Sequence, residues 1–385
     1  MPDVAALTRN AVKVLPEGEL ERKLALGRPL RVKLGIDPTA RDIHIGNAIQ
    51  WQTMRRFQDA GHIGVLIIGD YTARIGDPSG RSKERRLLSD EEIDRNADAF
   101  FVQASRIIDP ERTELRRNSE WLAELDFAGI LRLTRTITVS RLLERNDFER
   151  RFRTNQPISV SEFLYPLMQA YDSVAVQADI ELGGTDQEYN LLTGRDVQIA
   201  YGQEPQVAII GPLINGPNGV QKMGASLDNY IGIDEPPNEM FGKAMSAVDE
   251  MMPDYYRYCL EDDEPPPADP YQAKREFARR LVERWHGAHA AAAAEAAFDR
   301  QFKQGRAAED APRLPLPGED PVHMPAFLEA HGLAGSRGEA RRLIAQGGVR
   351  VNQEPLAGDE LDVPRSRLAG AELRVGRRFS VIDAD

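Results

Sequence analysis

The sequence has little cysteine and no long apolar run, and both shortages narrow what the protein can be. Its 385 residues include one cysteine, Cys259, which excludes an internal disulfide and a metal site built from several cysteines. No stretch of about 18 apolar residues occurs, so we expect no membrane span. The first residues lack the basic-then-apolar layout of a signal peptide, and residues 1–24 predict an amphipathic helix. A cytoplasmic protein is therefore expected.

An excess of positive charge is also missing. The formal net charge is −12, which argues against a general nucleic-acid coat protein but allows a local basic face. Apolar residues make up 41% and charged residues 29% of the chain, as in ordinary globular proteins. The length predicts two or three domains.

Strand-like and helix-like segments alternate from about residue 30 to residue 215. The continuous apolar runs at 65–70 and 207–210 are typical of strands buried in a parallel sheet, and the short segment 31–36 alternates apolar with other residues as a strand does. Helical patterns cover 48–60, 90–108 and 161–171. This alternation predicts an α/β fold, with a doubly wound, Rossmann-like parallel sheet in a catalytic domain at 1–235.

The pattern changes after Pro236 and Pro237. Residues 236–304 show helical periodicity and include an Ala-rich run, which predicts an α-helical domain. Residues 305–321 are rich in proline, glycine and charge and predict a linker. Residues 322–385 predict a small α+β domain with strands near 349–351 and 373–375.

The segment His44-Ile45-Gly46-Asn47 follows a predicted strand and opens a predicted helix. Helix N-termini attract anions through unpaired N–H groups and the helix dipole. Gly46 would let a ligand approach the backbone, and His44 could donate a hydrogen bond to a phosphoryl oxygen. A plain helix cap explains the same residues, and the segment alone favours the cap.

Two further segments suit phosphate. Lys222 is followed by small residues in a loop at the end of a predicted strand, where its ammonium could reach a phosphate. Residues 76–86 combine turn formers with four basic side chains, which would suit a polyphosphate. A surface turn and a solvated run of charge are the respective alternatives.

A third group of polar residues lies on a predicted helix. Tyr165, Gln169 and Asp172 are spaced i, i+4 and i+7, which places them on one face in an apolar context. Polar groups in such a place need partners or recognise a ligand. The glycine-rich segment 183–187 adds Asp186 and Gln187 at a strand end.

Taken together, these segments resemble one family. DPTARDIHIGN, IGDPSGRSKERR, EFLYPLMQAYDS, ELGGTDQEYNLL and KMGASLDNYIGIDEPPNEMF occur in the order and spacing of bacterial tyrosyl-tRNA synthetases, which are class I aminoacyl-tRNA synthetases. The resemblance covers roughly residues 10–385. The segment LEAHGLAGSRGEARRLIAQGGVRVN resembles the RNA-binding module of ribosomal protein S-four. It holds the basic side chains expected to bind tRNA, namely Arg337, Arg341, Arg342 and Arg350.

The resemblance implies an activity. Members activate L-tyrosine with ATP to give tyrosyl-adenylate and pyrophosphate, and then transfer tyrosine to its tRNA. The carboxylate of the substrate is the nucleophile, so catalysis comes from positioning and from stabilising charge on the phosphates. A homodimer and Mg²⁺ bound mainly through ATP oxygens are also implied, with no resident protein metal site.

The resemblance also implies residue roles. The catalytic group consists of His44, Asn47, Lys222, Arg81 and Arg85. ATP is expected to contact Asp37, Thr39, His44, Gly46, Asn47, Gly184, Asp186, Lys222, Ala225 and Ser226. Tyrosine is expected to contact Lys33, Gly35, Asp77, Tyr165, Gln169, Asp172 and Gln187, with Asp172 accepting a hydrogen bond from the phenol.

The chain departs from the family pattern at three positions. Asn47 stands where a second histidine is usual, and Ala225 where a second lysine follows in Lys-Met-Ser-Lys-Ser. Loss of one charge-assisted phosphate contact would cost about 1.5–3 kcal/mol, or roughly 10- to 100-fold in rate, unless Arg81, Lys83 or Arg85 offset it. Lys33 stands where some branches carry tyrosine. A degenerate paralogue without efficient aminoacylation and a ligase for another amino acid are the alternatives.

Overall fold

A computed structural model describes residues 3–38, 42–76, 89–303, 311–376 and 378–384. Contacts between Cα atoms divide the chain into two compact units. The first comprises Met1–Glu235 with Ser246–Phe277, and the second comprises Pro236–Met245 with Ala278–Asp385. The finer division into four segments stays a prediction.

A six-stranded sheet forms the centre of the first unit. Its strands are β1 (Lys13–Leu15), β2 (Arg31–Ile36), β3 (Ile63–Ile68), β4 (Thr113–Arg117), β5 (Ile180–Gly184) and β6 (Val207–Gly211). They lie in the order β1-β6-β5-β2-β3-β4, and every neighbouring pair except β1 with β6 is parallel. Strands β3 and β6 are apolar and buried along nearly their whole length, as the sequence predicted. The doubly wound α/β fold is confirmed.

Helices connect these strands, and the three predicted from periodicity are present. The helices that begin before residue 236 are α1 (Val4–Leu7), α2 (Glu19–Leu24), α3 (Ile45–Asp59), α4 (Asp90–Ala104), α5 (Ser119–Leu122), α6 (Phe127–Thr134), α7 (Val139–Leu142), α8 (Asn146–Arg153), α9 (Val160–Ala175) and α10 (Glu188–Ala200).

The predicted amphipathic helix at residues 1–24 is wrong. Two short helices, α1 and α2, flank the strand β1, which pairs antiparallel with Ala208–Ile210 of β6. Pro16 follows β1 directly and has no N–H for a helix, and Gly18 has a φ of 76°. Pairing with a strand almost 200 residues away overrides the local helical pattern.

The later part of the chain is helical up to about residue 303, as predicted. Its helices are α11 (Pro237–Ser246), α12 (Met252–Asp254), α13 (Pro270–His286), α14 (Ala288–Phe298), α15 (Met324–Ala330), α16 (Arg337–Ala345) and α17 (Arg365–Leu368). π-Helical turns cover Tyr255–Cys259 and Asp299–Lys303.

Small strands complete the second unit. They are β7 (Arg313–Leu314), β8 (Val322–His323), β9 (Val349–Val351), β10 (Glu354–Pro355), β11 (Asp362–Val363), β12 (Glu372–Val375) and β13 (Arg378–Ile382). Five of them form a sheet in the order β10-β9-β12-β13-β7, packed on a buried core that includes Leu328 and Ile344. Strand β7 lies within the segment predicted as a linker, and it pairs with β13.

The strand order positions a crevice. Strands β2 and β5 are neighbours, but the chain proceeds from β2 toward β3 on one side and from β5 toward β6 on the other. Such a switch point separates the loops that leave the two carboxyl ends, here after Ile36 and Gly184, and opens a ligand crevice between them.

Candidate active site

A cleft of about 540 Å³ occupies this switch point in the first unit. It brings together thirteen of the residues predicted to contact the two small substrates. They are Gly35, Asp37, His44, Gly46, Asn47, Tyr165, Gln169, Asp172, Gly184, Asp186, Gln187, Lys222 and Ala225.

The same predictions named six further residues. Thr39, Asp77, Arg81 and Arg85 lie outside the residues that the structure describes. Ser226 lies in the short 3₁₀ helix Ala225–Leu227. Lys33 belongs to β2, but its side chain is fully buried below the cleft.

The start of α3 is a helix cap within the cleft wall. His44 is the N-cap residue, and its Nδ1 accepts a 3.1 Å hydrogen bond from the backbone N–H of Asn47. In return, the backbone N–H of His44 donates to Asn47 Oδ1 at 3.3 Å. The cap and the predicted phosphate wall are therefore the same structure, and Asn47 replaces histidine with a side chain suited to capping.

The His44 imidazole is neutral at ordinary pH. Burial, reinforced by the nearby charge of Lys222, lowers its pKa to about 3. Because Nδ1 acts as an acceptor, the single ring proton resides on Nε2. His44 can thus donate one hydrogen bond from Nε2 without carrying a positive charge.

The segment that begins at Lys222 and extends to Gly232 packs against the start of α3. Ile45 donates its backbone N–H to the carbonyl of Ile231 at 3.0 Å, and His44 forms a β-bridge with Gly232. A Cβ placed on Gly46 would lie 3.6 Å from the sulfur of the buried Met223. The two segments that resemble phosphate-binding motifs are therefore held side by side.

Lys222 bridges to Asp186 across the cleft. Its Nζ lies 2.5 Å from Asp186 Oδ2, and the Lys222 side chain is 52% exposed. An exposed pair of this kind contributes little to stability, so an incoming phosphate can replace the carboxylate at small cost. Ala225 begins the next 3₁₀ turn and brings a methyl group, not an ammonium, to the same wall.

Asp172 lies buried on the α9 side of the cleft. The indole Nε1 of Trp121 donates to Asp172 Oδ1 at 2.8 Å, and Asn118 Nδ2 donates to Oδ2 at 3.4 Å. Burial raises the pKa of Asp172 to about 7, while the charge of Lys33 and these two hydrogen bonds oppose the rise. Sequence reasoning missed Trp121 and Asn118, which follow β4 and carry no recognisable motif.

Asp37 and Tyr165 form one unit at the carboxyl end of β2. The Tyr165 hydroxyl donates to Asp37 Oδ2 at 2.9 Å, and Thr72 Oγ1 donates to Oδ1 at 2.9 Å. A Cβ on Gly69 would lie 2.3 Å from Asp37 Oδ1, so only glycine permits this approach. The hydrogen bond joins a residue predicted for ATP to one predicted for tyrosine.

Gln169 and Gln187 share one buried partner. Asn190 Nδ2 donates to Gln169 Oε1 at 3.0 Å and to Gln187 Oε1 at 2.9 Å. Asn190 is itself buried and lies in the first turn of α10. It was not predicted, although its position three residues after Gln187 on a helix could have indicated it.

The predicted tRNA contacts lie in the second unit. Arg337, Arg341, Arg342 and Arg350 are all exposed, the first three on α16 and the last on β9. Arg337 pairs with Glu329 at 2.9 Å. Within the described ranges, the other three have no ion-pair partner, which leaves a basic surface.

Comparisons with known proteins agree with this arrangement. The family model described as tRNA synthetases class I (W and Y) matches residues 25–303, and an S4 domain model matches residues 325–357. The curated Tyrosine--tRNA ligase of Oleidesulfovibrio alaskensis is 46% identical over 97% of this chain and 96% of its own length. That of Moorella thermoacetica is 46% identical over 97% and 93%.

Solved structures share the fold. The tyrosyl-tRNA synthetase from Aeropyrum pernix is 22% identical with a TM-score of 0.61, covering 78% of this chain and 97% of that one. A truncated mitochondrial tyrosyl-tRNA synthetase from Aspergillus nidulans is 21% identical with a TM-score of 0.62, covering 76% and 92%. Since the family model spans most of the sequence and the relatives match it nearly end to end, this chain belongs to the class I tRNA synthetases of the tryptophan and tyrosine group.

Proposed function

We propose that this chain is a tyrosine–tRNA ligase. It activates L-tyrosine with ATP, releases pyrophosphate and transfers tyrosine to its tRNA. Curated relatives at 46% identity over nearly the full length carry that name. The observation that carries the proposal is a buried carboxylate, Asp172, in the same cleft as His44 and Lys222.

Asp172 recognises the substrate by accepting a hydrogen bond from its phenol hydroxyl. Trp121 and Asn118 fix its carboxylate, so an incoming hydroxyl finds an acceptor already in place. Phenylalanine brings no hydrogen-bond donor and would bury the carboxylate without its last partner. An unsatisfied buried group of this kind costs about 1–3 kcal/mol, more when it is charged, which favours tyrosine.

The α-ammonium and the carboxylate of tyrosine are held on the α9 side and at the end of β2. Gln169, Gln187 and Tyr165 supply acceptors for the ammonium, together with Asp77 in this proposal. This places the substrate carboxylate toward the helix start at His44. The carboxylate can then attack the α-phosphate of ATP without any protein nucleophile.

The phosphate side stabilises charge as the bond to pyrophosphate breaks. His44 donates from Nε2, Lys222 exchanges Asp186 for a phosphate oxygen, and the first turn of α3 contributes its dipole. Gly184 and Asp186 hold the ribose, and Gly46 allows the nucleotide close to the backbone. Arg81 and Arg85 assist the leaving pyrophosphate in this proposal.

Magnesium enters with ATP. In the ranges that the structure describes, no three His, Cys, Asp or Glu side chains are grouped to hold an ion. Mg²⁺ keeps most of its ligands as water and phosphate oxygens, so the chain needs no dedicated cage. The ion would neutralise part of the pyrophosphate charge that Lys222 also meets.

The parts of the chain that follow the catalytic domain bind tRNA in this proposal. Residues 1–235 form the catalytic domain, 236–304 contact the anticodon side, 305–321 link, and 322–385 bind RNA through Arg337, Arg341, Arg342 and Arg350. Phosphate contacts by such arginines make binding strongly salt-dependent.

None of the helices in the described ranges has the length and apolar character to cross a membrane. We place the enzyme in the cytoplasm, with the translation machinery.

The enzyme acts as a homodimer in this proposal. Phe127 and Leu131 on α6 are 75% and 43% exposed, and a hollow of about 430 Å³ lies between α6 and the end of α10. Exposed apolar surface of this kind marks an interaction site. Sedimentation at micromolar concentration should give a dimer, and Leu131→Lys should shift it toward monomer.

A second candidate is a paralogue that binds tyrosine or RNA but activates poorly. Asn47 and Ala225 favour it, because each removes a group that could meet phosphate. Pyrophosphate exchange with tyrosine separates the two candidates: exchange supports the ligase, and binding of tyrosine without exchange supports the paralogue. Exchange with each other amino acid tests for a different substrate.

A further inference from the structure

A buried ion pair lies directly beneath the tyrosine side of the cleft. Lys33 Nζ is 2.9 Å from Glu181 Oε1, and the two side chains are 0% and 1% exposed. Neither residue lines the cleft. The pair therefore has no direct access to a substrate, yet burying two charges is costly and needs a reason or full compensation.

Glu181 is surrounded by donors. Its Oε1 accepts from Lys33 and, at 3.2 Å, from Gln169 Nε2. Its Oε2 accepts from Ser173 Oγ at 3.2 Å and from Gln206 Nε2. A carboxylate paired with an ammonium offers acceptors only, so Gln169 has to direct its NH₂ group toward Glu181.

This requirement fixes the other end of the Gln169 amide. Its Oε1 is turned away from Glu181 and accepts from Asn190 Nδ2 at 3.0 Å. Gln169 lines the cleft, and a carbonyl oxygen has two lone pairs, so one remains to meet a donor from the substrate. An amide turned the other way would present N–H donors to the same place.

We propose that the Lys33–Glu181 pair positions Gln169 so that its amide oxygen, not its NH₂ group, receives the α-ammonium of the substrate. Lys33 and Glu181 are then positioning residues that determine selectivity for an amino acid without touching it. The inference rests on the proposed function, because it assumes that the α-ammonium of tyrosine lies at Gln169.

The surroundings of the pair fit this role. Lys33 Nζ also donates to Ser173 Oγ at 2.7 Å and to the backbone carbonyl of Gln169 at 3.0 Å. The same ammonium therefore holds the Gln169 backbone directly and the Gln169 side chain through Glu181. A Cβ on Gly194 would lie 2.5 Å from Gln206 Nε2, so the packing around Glu181 requires glycine there. A neutral amide in place of Glu181 could accept or donate and would leave both orientations of Gln169 open.

The test compares a ligand that carries the α-ammonium with a ligand that lacks it. Tyrosinol keeps the ammonium and lacks the carboxylate, whereas 3-(4-hydroxyphenyl)propanoate lacks the ammonium. Their dissociation constants are measured by calorimetry on the full chain, so the result does not depend on catalysis. Glu181→Gln should weaken tyrosinol about tenfold or more, the size of a lost charge-assisted hydrogen bond, and should change the propanoate less than about twofold.

Glu181→Gln leaves Lys33 without its partner and could fail to fold. The double variant Lys33→Met with Glu181→Gln removes both charges and is the second variant. It should show the same selective loss of tyrosinol, because the amide introduced at position 181 can donate as well as accept and no longer dictates the orientation of Gln169. Ser173→Ala is the matched control, since it removes one hydrogen bond to Lys33 and one to Glu181 but leaves Glu181 as the partner of Gln169, and it should preserve the wild-type ratio.

An unchanged ratio of the two dissociation constants in a folded Glu181 variant would overturn the inference. This holds whether both affinities stay at the wild-type value or both fall by the same factor, which would indicate general damage to the pocket. The proposed function is tested separately by wild-type pyrophosphate exchange. Exchange with tyrosine together with unchanged ratios in the variants would refute the positioning role alone.

Discussion

The indole Nε1 of Trp121 donates a 2.8 Å hydrogen bond to Oδ1 of the buried Asp172. This bond joins the helix that follows β4 to α9, and it aims one carboxylate oxygen while the other takes a longer bond from Asn118. The group that would read the phenol is thus held before any substrate arrives. Pre-organisation of this kind reduces the cost of ordering on binding.

Replacing Trp121 with phenylalanine should weaken tyrosine binding with a characteristic pH dependence. The variant keeps the aromatic bulk but loses the donor, so the pKa of Asp172 should rise further above about 7. Protonated Asp172 is the weaker acceptor, so KM for tyrosine should rise most at pH 6 to 7, on the order of tenfold. KM for ATP should stay unchanged. A KM for tyrosine that rises equally at every pH would contradict this explanation.

Asp172 should also make folding stability depend on pH. Burial raises its pKa from 3.8 to about 7, so between these values the folded state holds a proton that the unfolded state has released. The stability contributed by this group is therefore present at low pH and is lost as the pH rises toward 7. The free energy of unfolding of wild type, relative to Asp172→Asn, should fall between about pH 4 and pH 7 and then level off. A difference that does not vary with pH would contradict burial as the cause.

Ala225→Lys should accelerate activation. A lysine on the Ala225–Leu227 turn would add a cation to the wall that carries Lys222. We expect kcat for pyrophosphate exchange to rise about tenfold, the value of one charge-assisted phosphate contact, with KM for tyrosine unchanged. Ala225→Gln is the control of similar length without charge and should not raise the rate. No increase with lysine would mean that other cations, such as Arg81 or Arg85, already supply the contact.

Two glycines of the cleft should differ in how replacement by alanine affects Tm. A Cβ on Gly69 would collide with Asp37 and Thr72 at 2.3 and 2.4 Å, so Gly69→Ala should lower Tm and disturb the Asp37–Tyr165 bond. A Cβ on Gly35 meets no atom within 4 Å and would project into open space, so Gly35→Ala should keep Tm. Because Gly35 lines the cleft and is predicted to contact tyrosine, Gly35→Ala should still raise KM for tyrosine. Equal Tm values for the two variants would contradict the close approach at Gly69.

Short-range patterns predicted much of this architecture. The i, i+4, i+7 spacing was enough to place Tyr165, Gln169 and Asp172 on one face, because a helix fixes that geometry locally. The strands β3 and β6 were recognisable because burial on both faces makes them continuously apolar, whereas β2 was recognisable from its alternating pattern. The helix start at His44 was ambiguous, and the structure explains why, since the same residues make the cap and face the cleft.

Other features depended on contacts that no local pattern contains. Strand β1 exists because β6 offers an open edge, so residues 13–15 pair across most of the first unit. Trp121 and Asn118 reach Asp172 only because the sheet brings the end of β4 near α9. Lys33 was expected at the substrate from the family resemblance, but Ser173 and Glu181 hold its ammonium below the cleft.

Tyrosine-dependent pyrophosphate exchange by the unmodified chain tests the central claim most directly. Purified protein is incubated with ATP, labelled pyrophosphate, Mg²⁺ and each of the twenty amino acids in turn. We predict that label enters ATP with tyrosine, and not with phenylalanine or tryptophan at the same concentration. Exchange at background level with tyrosine, or greater exchange with another amino acid, would contradict the assignment of this cleft as a tyrosine-activating site.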